Sequence, residues 1–283
     1  MTTELDIRSA AGCGEPAVLF FDVDGTLIWT DVDAIKDGAE FEDFAPNASV
    51  QAAFARLRER GHRTYLCTGR PKTLLSQSLM DLGFDGFIAG AGSLVVVDGQ
   101  TIFESIIPRD VVLEAARLLL DLGIDALFES HVDSVMVSAS GTPNPGFPNA
   151  PIASSVEDLQ RLMPTLACCK ISKMSEKEWR IGEFDRLVRE HFTECDMGMA
   201  RELSMKGVDK GAGIRRVLDF TGHSLHNTYA FGDSENDMPM FNQVETTIAM
   251  GNAMDHVKER ADYVTGDAKD DGIAQALEHF GLI

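Results

Sequence analysis

Asp22 and Asp24 stand directly after the apolar run Ala17-Val-Leu-Phe-Phe21. Carboxylates at i and i+2 point to opposite faces of a continuing strand, but if the strand ends between them both can aim at one opening. One can then attack phosphorus while the other handles protons. Gly25 permits a sharp turn, and Thr26 with the amides around it supplies donors for phosphoryl oxygens. Far along the chain, Gly232-Asp-Ser-Glu-Asn-Asp237 follows another apolar run. Its Asp233 adds to the hard oxygen ligands that suit a Mg²⁺ ion keeping several waters. Lys210 opens a helical stretch and offers a second cation, and Thr68 ends a further apolar segment. Phosphoryl transfer asks a protein for positioning and charge stabilisation, and a carboxylate nucleophile can divide hydrolysis into two steps through an aspartyl-phosphate.

Residues so far apart in sequence meet only if the fold collects them. Open α/β sheets do this at the carboxyl ends of their strands. Ala17–Phe21 reads as a buried parallel strand, and Arg63–Cys67 as a second one ending at Thr68-Gly-Arg-Pro. Asn47 caps a helix that Gly61 stops, and another helix is expected from Lys72 to about Leu82. Phe87-Ile88 and Leu94–Val97, with the turn Asp98-Gly99, predict a strand and a hairpin. From Pro108 the pattern changes to an amphipathic helix over 109–122, strands near 124–130 and 132–138, and a Pro/Gly/Asn-rich loop over 139–151. Helices near 154–163 and 176–191 and a strand near 168–173 complete this segment. Strand and helix then alternate again through Lys210–Phe220, Asn227–Phe231 and Thr246–Met250. The expected fold is a doubly wound, Rossmann-like α/β core formed by 1–107 and 201–283, interrupted by an inserted α+β cap domain over 108–200.

Composition narrows the partners. Apolar residues make up 44 % and charged residues 25 % of the 283, the proportions of an ordinary globular protein. With 25 Lys plus Arg against 45 Asp plus Glu the formal charge is −20, which repels nucleic acid and anionic lipid and excludes both as expected partners. The same field repels a phosphate ester, so a phosphate site needs a local cation. The five cysteines Cys13, Cys67, Cys168, Cys169 and Cys195 form no C-x-x-C pair and read as reduced core thiols. The opening MTTELDIRSAAGCGE lacks the apolar run of a signal peptide, and no stretch reaches the roughly 18 apolar residues of a membrane span. A cytoplasmic monomer or small homo-oligomer with a frayed N-terminus is expected.

Four segments in order, Asp22-Val-Asp-Gly-Thr-Leu27, Cys67-Thr-Gly-Arg70, Gly207-Val-Asp-Lys-Gly211 and Gly232-Asp-Ser-Glu-Asn-Asp237, resemble the motifs of haloacid dehalogenase superfamily phosphatases. The insert resembles the large α/β cap of the Cof-like subfamily. The resemblance implies Asp22 as nucleophile, Asp24 as general acid and base, Thr68 as a donor to the phosphoryl group, and Lys210 as the charge partner of Asp22. It also implies a Mg²⁺ held by Asp22, the Asp24 carbonyl and Asp233, with Asp237 supporting that shell. Gly25, Thr26, Gly69, Arg70 and Asn236 are then expected around the phosphate and substrate, with Ser234 a weaker candidate. One departure stands out: Ala89-Gly-Ala-Gly-Ser93 replaces a common Asn-Gly-Ala, and the acidic stretch from Trp29 to Glu42 is long for the pattern.

The implied activity is Mg²⁺-dependent hydrolysis of a small phosphate monoester, a sugar phosphate or phosphorylated cofactor. Alternatives are a dedicated phosphatase of the mannosylphosphoglycerate or sucrose-phosphate kind, a phosphosugar mutase, or a metabolite binder that kept the fold. A calcium loop at 233–244 is excluded, because the sixth and twelfth positions are Met238 and Val244 rather than Gly and an acid. His223 and His226 read as loop surface. The insert is expected to close over the site and select the leaving group, with Gly141–Pro151 as the segment facing substrate.

Overall fold

The computed structural model describes residues 15–29, 44–144, 147, 149–174, 177–196 and 201–283. Cys13, the start of the chain, the acidic stretch beyond Trp29 and part of the 141–151 loop lie outside the described residues.

Fourteen strands form two sheets among the described residues. In chain order they are β1 (Val18–Phe21), β2 (Arg63–Cys67), β3 (Gly86–Ala89), β4 (Leu94–Val97), β5 (Gln100–Glu104), β6 (Ala126–Glu129) and β7 (Ser134–Val137). There follow β8 (Ile152–Ala153), β9 (Lys170–Lys173), β10 (Phe192–Asp196), β11 (Arg201–Met205), β12 (Thr228–Gly232), β13 (Thr246–Ala249) and β14 (Tyr263–Val264). The larger sheet runs β14-β13-β12-β1-β2-β3-β4-β5, parallel from β14 to β3 and antiparallel beyond. The smaller sheet runs β10-β11-β9-β6-β7-β8.

β1 is continuously apolar because both of its faces are covered. Leu19 and Phe21 pack on the side of the helices Ala48–Glu59 and Gly272–His279, whereas Val18 and Phe20 pack on the side of the helix Lys210–Thr221. Phe21 stacks on Phe231 of the neighbouring β12 at 4.6 Å between centroids, an arrangement worth about 0.5–1.5 kcal/mol beyond its buried area. The strand order reverses at β1, whose neighbours β2 and β12 lead away in opposite directions. That switch point opens a crevice at the carboxyl ends of β1, β2 and β12, where Asp22, Thr68 and Asp233 follow. The smaller sheet has its own core, in which Phe128, Trp179 and Phe184 pack with the helix Arg109–Leu122.

Two local expectations change. In place of one helix from Lys72 to Leu82 there is a 3₁₀ turn Lys72–Leu74 and a single helical turn Gln77–Met80. Ser76 breaks the run, since its hydroxyl accepts the Leu79 amide at 3.4 Å and caps a new start. The smaller sheet also continues past residue 200, because β11 pairs with both β10 and β9. Its alternating Arg-Glu-Leu-Ser-Met buries Leu203 in the core of the smaller sheet, so that sheet includes β11, beyond the expected boundary at 200.

Candidate active site

Lys210 is the pivot of the crevice. Asp209 caps its helix by accepting the Ala212 amide at 2.7 Å, which points the first turn at the end of β1. The helix seats deeply because Gly211 lacks a side chain: a Cβ there would stand 2.2 Å from the Pro239 carbonyl oxygen. Lys210 Nζ then donates to Asp22 Oδ1 at 2.6 Å, Asp237 Oδ1 at 2.7 Å and Asn236 Oδ1 at 2.9 Å. All three ammonium protons are used. Burial works against the Lys210 ammonium, but Asp22 and Asp237 outweigh it and hold its pKa well above the ordinary lysine value.

Asp237 works from behind. Its Oδ2 accepts the Asp233 amide at 2.9 Å and the Ser234 amide at 3.0 Å, closing a capping box with Ser234. The Asp233 carboxylate is thereby carried forward to Asp22. Gly25 lets the β1 loop come close: its φ is 78°, and a Cβ would stand 2.4 Å from Asp233 Oδ2. Thr26 Oγ1 reaches Asp233 Oδ1 only at 3.4 Å. Asn252 donates to the Gly25 carbonyl at 2.8 Å and pins the loop, a role no motif in the sequence signalled.

Thr68 is fully buried beside this centre, and its Oγ1 accepts the Arg70 amide at 3.1 Å. Arg70, expected at the phosphate, turns its guanidinium to Asp24 instead, Nε to Oδ2 at 2.9 Å and Nη2 to Oδ1 at 2.6 Å. Gly69 lies between them, and its carbonyl accepts from Lys170 of β9 at 3.0 Å. Of the candidate residues, Asp22, Asp233, Asp237, Asn236 and Lys210 thus converge, with Gly25, Thr26, Thr68 and Gly69 around them, while the Asp24 carboxylate is anchored by Arg70.

Asp22, Asp233 and Asp237 each offer a carboxylate oxygen within 4.8 Å of the others. Against them stands one lysine, a deficit of positive charge in a buried place. Burial, with Asp237 and Asp24 adding and Lys210 opposing, raises the Asp22 carboxyl to about 7. Burial, with Asp237 and Asp22 adding, raises Asp233 to about 9. Carboxylates that resist ionisation this strongly are stabilised by a hard divalent cation, so the donor set fits a metal site with oxygen ligands.

Beside Lys210 is a cavity of about 710 Å³ lined by Lys210, Asn236 and Ala91 and, from β10 and β11, by Thr193, Glu194, Cys195, Asp196, Glu202 and Ser204. The described residues of the 141–151 loop do not line it. That loop leads into β8, the far edge of the smaller sheet, whereas β10 and β11 form the opposite edge. Among the described residues no helix is long and apolar enough to cross a membrane. The four described cysteines are reduced thiols, three of them buried.

A doubly wound sheet whose switch point gathers carboxylates around a buried lysine has the makings of an α/β phosphoryl-transfer enzyme. A family model described as haloacid dehalogenase-like hydrolase matches residues 19–277, and the chain belongs to that family, as a Cof-like phosphatase. A Bacillus subtilis (strain 168) relative named "Putative phosphatase YkrA" is 29 % identical over 94 % of this chain and 98 % of its own length. The pyridoxal phosphate phosphatase YbhA of Escherichia coli (strain K12) is 26 % identical over 92 % of this chain and 97 % of its own. The subclass IIB sugar phosphatase BT4131 superposes with a TM-score of 0.74 at 25 % identity, covering 94 % of this chain and all of that one. The metabolite-binder alternative falls away with the phosphatase assignment.

Proposed function

We propose that this chain hydrolyses a small phosphate monoester, a sugar phosphate or phosphorylated cofactor, in a Mg²⁺-dependent reaction through an aspartyl-phosphate on Asp22. The observation that carries this reading is the Lys210 ammonium 2.6 Å from Asp22 Oδ1 within the buried trio Asp22, Asp233 and Asp237. That lysine anchors one oxygen of Asp22 and opposes the burial that disfavours its charge, leaving the other to attack phosphorus. Asp22, Asp233 and the Asp24 carbonyl would hold the ion, with Asp237 orienting Asp233. When bound, Mg²⁺ neutralises the carboxylates and lets a phosphate dianion approach. Thr68, Asn236 and the amides near Gly25 and Thr26 bind the equatorial oxygens, and Asp24 protonates the leaving oxygen and later deprotonates the attacking water. The β6–β11 segment covers the centre and excludes bulk water.

The names of the relatives support a small phosphorylated metabolite as substrate, since they include phosphatases of pyridoxal phosphate and of a sugar phosphate. The experiment is turnover of p-nitrophenyl phosphate with Mg²⁺ by the wild type and by Asp22→Asn. The isosteric change deletes the nucleophile and is expected to lower kcat by at least about a thousandfold with the fold retained. Turnover at near the wild-type rate rules out the covalent route.

A further inference from the structure

Two contacts from the smaller sheet land on the loop that follows β2. Lys170 of β9 donates to the Gly69 carbonyl at 3.0 Å. His131, in the turn between β6 and β7, accepts the Lys72 amide at its Nδ1 at 3.4 Å. Arg70 stands between these two points, and its guanidinium holds Asp24.

The Gly69 carbonyl and the Arg70 amide belong to one peptide plane. Lys170 fixes its oxygen, and Thr68 Oγ1 accepts its N–H at 3.1 Å. The plane leading into Arg70 is thus held at both ends, one of them from the smaller sheet. Lys170 has little freedom to move away: it is buried, donates to Glu202 at 2.6 Å and lies 3.3 Å from Glu129.

His131 holds a second piece of backbone. The Lys72 amide can only donate, so Nδ1 accepts, the ring proton sits on Nε2, and the 3.1 Å contact with Ser93 Oγ runs from the ring to the hydroxyl. Burial, with Lys72 adding, lowers the His131 pKa to about 4, which keeps the ring in this neutral form at neutral pH. Ser93 closes the segment 90–93, whose Gly90 amide donates to the Arg70 carbonyl at 2.8 Å and whose Ala91 amide donates to the Thr68 carbonyl at 3.0 Å. His131 therefore joins the loop after β2 to the segment that straps it.

We infer that Lys170 and His131 are positioning residues: from the smaller sheet they fix the backbone on either side of Arg70, and through Arg70 they aim the Asp24 carboxylate for proton transfer. The inference rests on the phosphatase reading and gives the smaller sheet a part in the acid–base step beyond covering the centre. A long side chain magnifies a small turn of its backbone, and a misplacement of about 1 Å can cost as much as about a hundredfold in rate.

The test reads kcat/KM for phenyl phosphate against p-nitrophenyl phosphate, two esters of similar shape whose leaving groups differ in basicity. Nitrophenolate departs readily without a proton, whereas phenolate, whose conjugate acid has a pKa of about 10, gains from protonation by Asp24. His131→Phe keeps a ring and loses both bonds. Lys170→Met combined with Glu129→Gln removes the Gly69 contact while keeping the net charge of the Lys170, Glu129 and Glu202 group. Each variant is expected to lower kcat/KM for phenyl phosphate by about tenfold and for p-nitrophenyl phosphate by less than about threefold. In an Arg70→Lys background His131→Phe is expected to add nothing to that preference, because both changes act on one carboxylate. A sheet that only shielded the centre would lower both esters alike. His131 is half-buried, so its variant keeps the test available if the Lys170 pair does not fold. Absence of p-nitrophenyl phosphate turnover in the wild type overturns the phosphatase reading and this inference with it. With turnover present, a folded variant that leaves the ratio of the two esters unmoved, or a His131→Phe effect that persists in full beside Arg70→Lys, overturns the inference alone.

Discussion

Arg70 holds Asp24 through two hydrogen bonds of 2.9 Å and 2.6 Å, while Lys210 holds Asp22, two residues earlier, through one of 2.6 Å. Two carboxylates from one tetrapeptide are therefore assigned to different cations, one by the loop after β2 and one by the helix Lys210–Thr221. Separate environments are how a pair of like groups takes separate roles. The planar guanidinium fixes the direction of Asp24 as well as its charge.

Arg70→Lys keeps the charge and loses the fork. In the proposed mechanism it should lower kcat by about tenfold or more with KM little changed, because Asp24 no longer points reliably at the leaving oxygen. The loss should be greater for alkyl phosphates, whose leaving oxygen needs the proton, than for p-nitrophenyl phosphate. Equal losses for both ester types would show that Arg70 does not act through Asp24.

Metal and protons compete for the same carboxylates. Asp22 titrates near 7 in the folded chain against an ordinary aspartate value of 3.8, so the native state keeps a proton that the unfolded chain releases in that window. Without metal, stability should fall as pH rises from about 4 to 7, and Asp233, raised to about 9, extends the fall. Added Mg²⁺ should raise the melting temperature more at about pH 8 than at about pH 5.5, because fewer protons must be displaced. Melting scans with EDTA and with Mg²⁺ check this, and an equal Mg²⁺ gain at both pH values contradicts it.

Lys170 is 3 % exposed and compensates two carboxylates. Lys170→Met should destabilise by about 3–5 kcal/mol, because Glu129 and Glu202 are left without their cation in a largely buried place. Adding Glu129→Gln should recover part of that loss. Denaturant midpoints for the single and double variants measure both effects, and additive losses argue against the shared charge.

Ala91 sits at φ 53° and ψ 37°, a left-handed conformation costing a residue with a Cβ about 1–2 kcal/mol. It also borders the cavity. Asparagine tolerates this conformation, so Ala91→Asn should stabilise the fold by about 0.5–1 kcal/mol while lowering kcat/KM for bulky leaving groups by narrowing the cavity. A melting curve and a comparison of large and small esters test the two halves independently.

The identities of the chemical groups were readable from the sequence, because they depend on local rules. A buried apolar run ending in Asp22-Val-Asp24, another ending at Thr68, and a third before Asp233 place polar groups at strand ends whatever the rest of the chain does. The helix Arg109–Leu122 and the strand Arg63–Cys67 emerged with the expected bounds because periodicity and terminators agreed there. The tertiary structure alone decided which groups touch. Lys210 bonds Asp22 across 188 positions, Arg70 bonds Asp24 across 46, and Lys170 meets the Gly69 carbonyl across 101. The placement of β1 between β2 and β12, and of β11 beside β9, comes from strand pairing between distant segments, which no local pattern encodes. The unbonded oxygen of Glu202 exists only because carboxylates from β6 and β11 share one ammonium from β9, a shortage that appears only once the chain is folded.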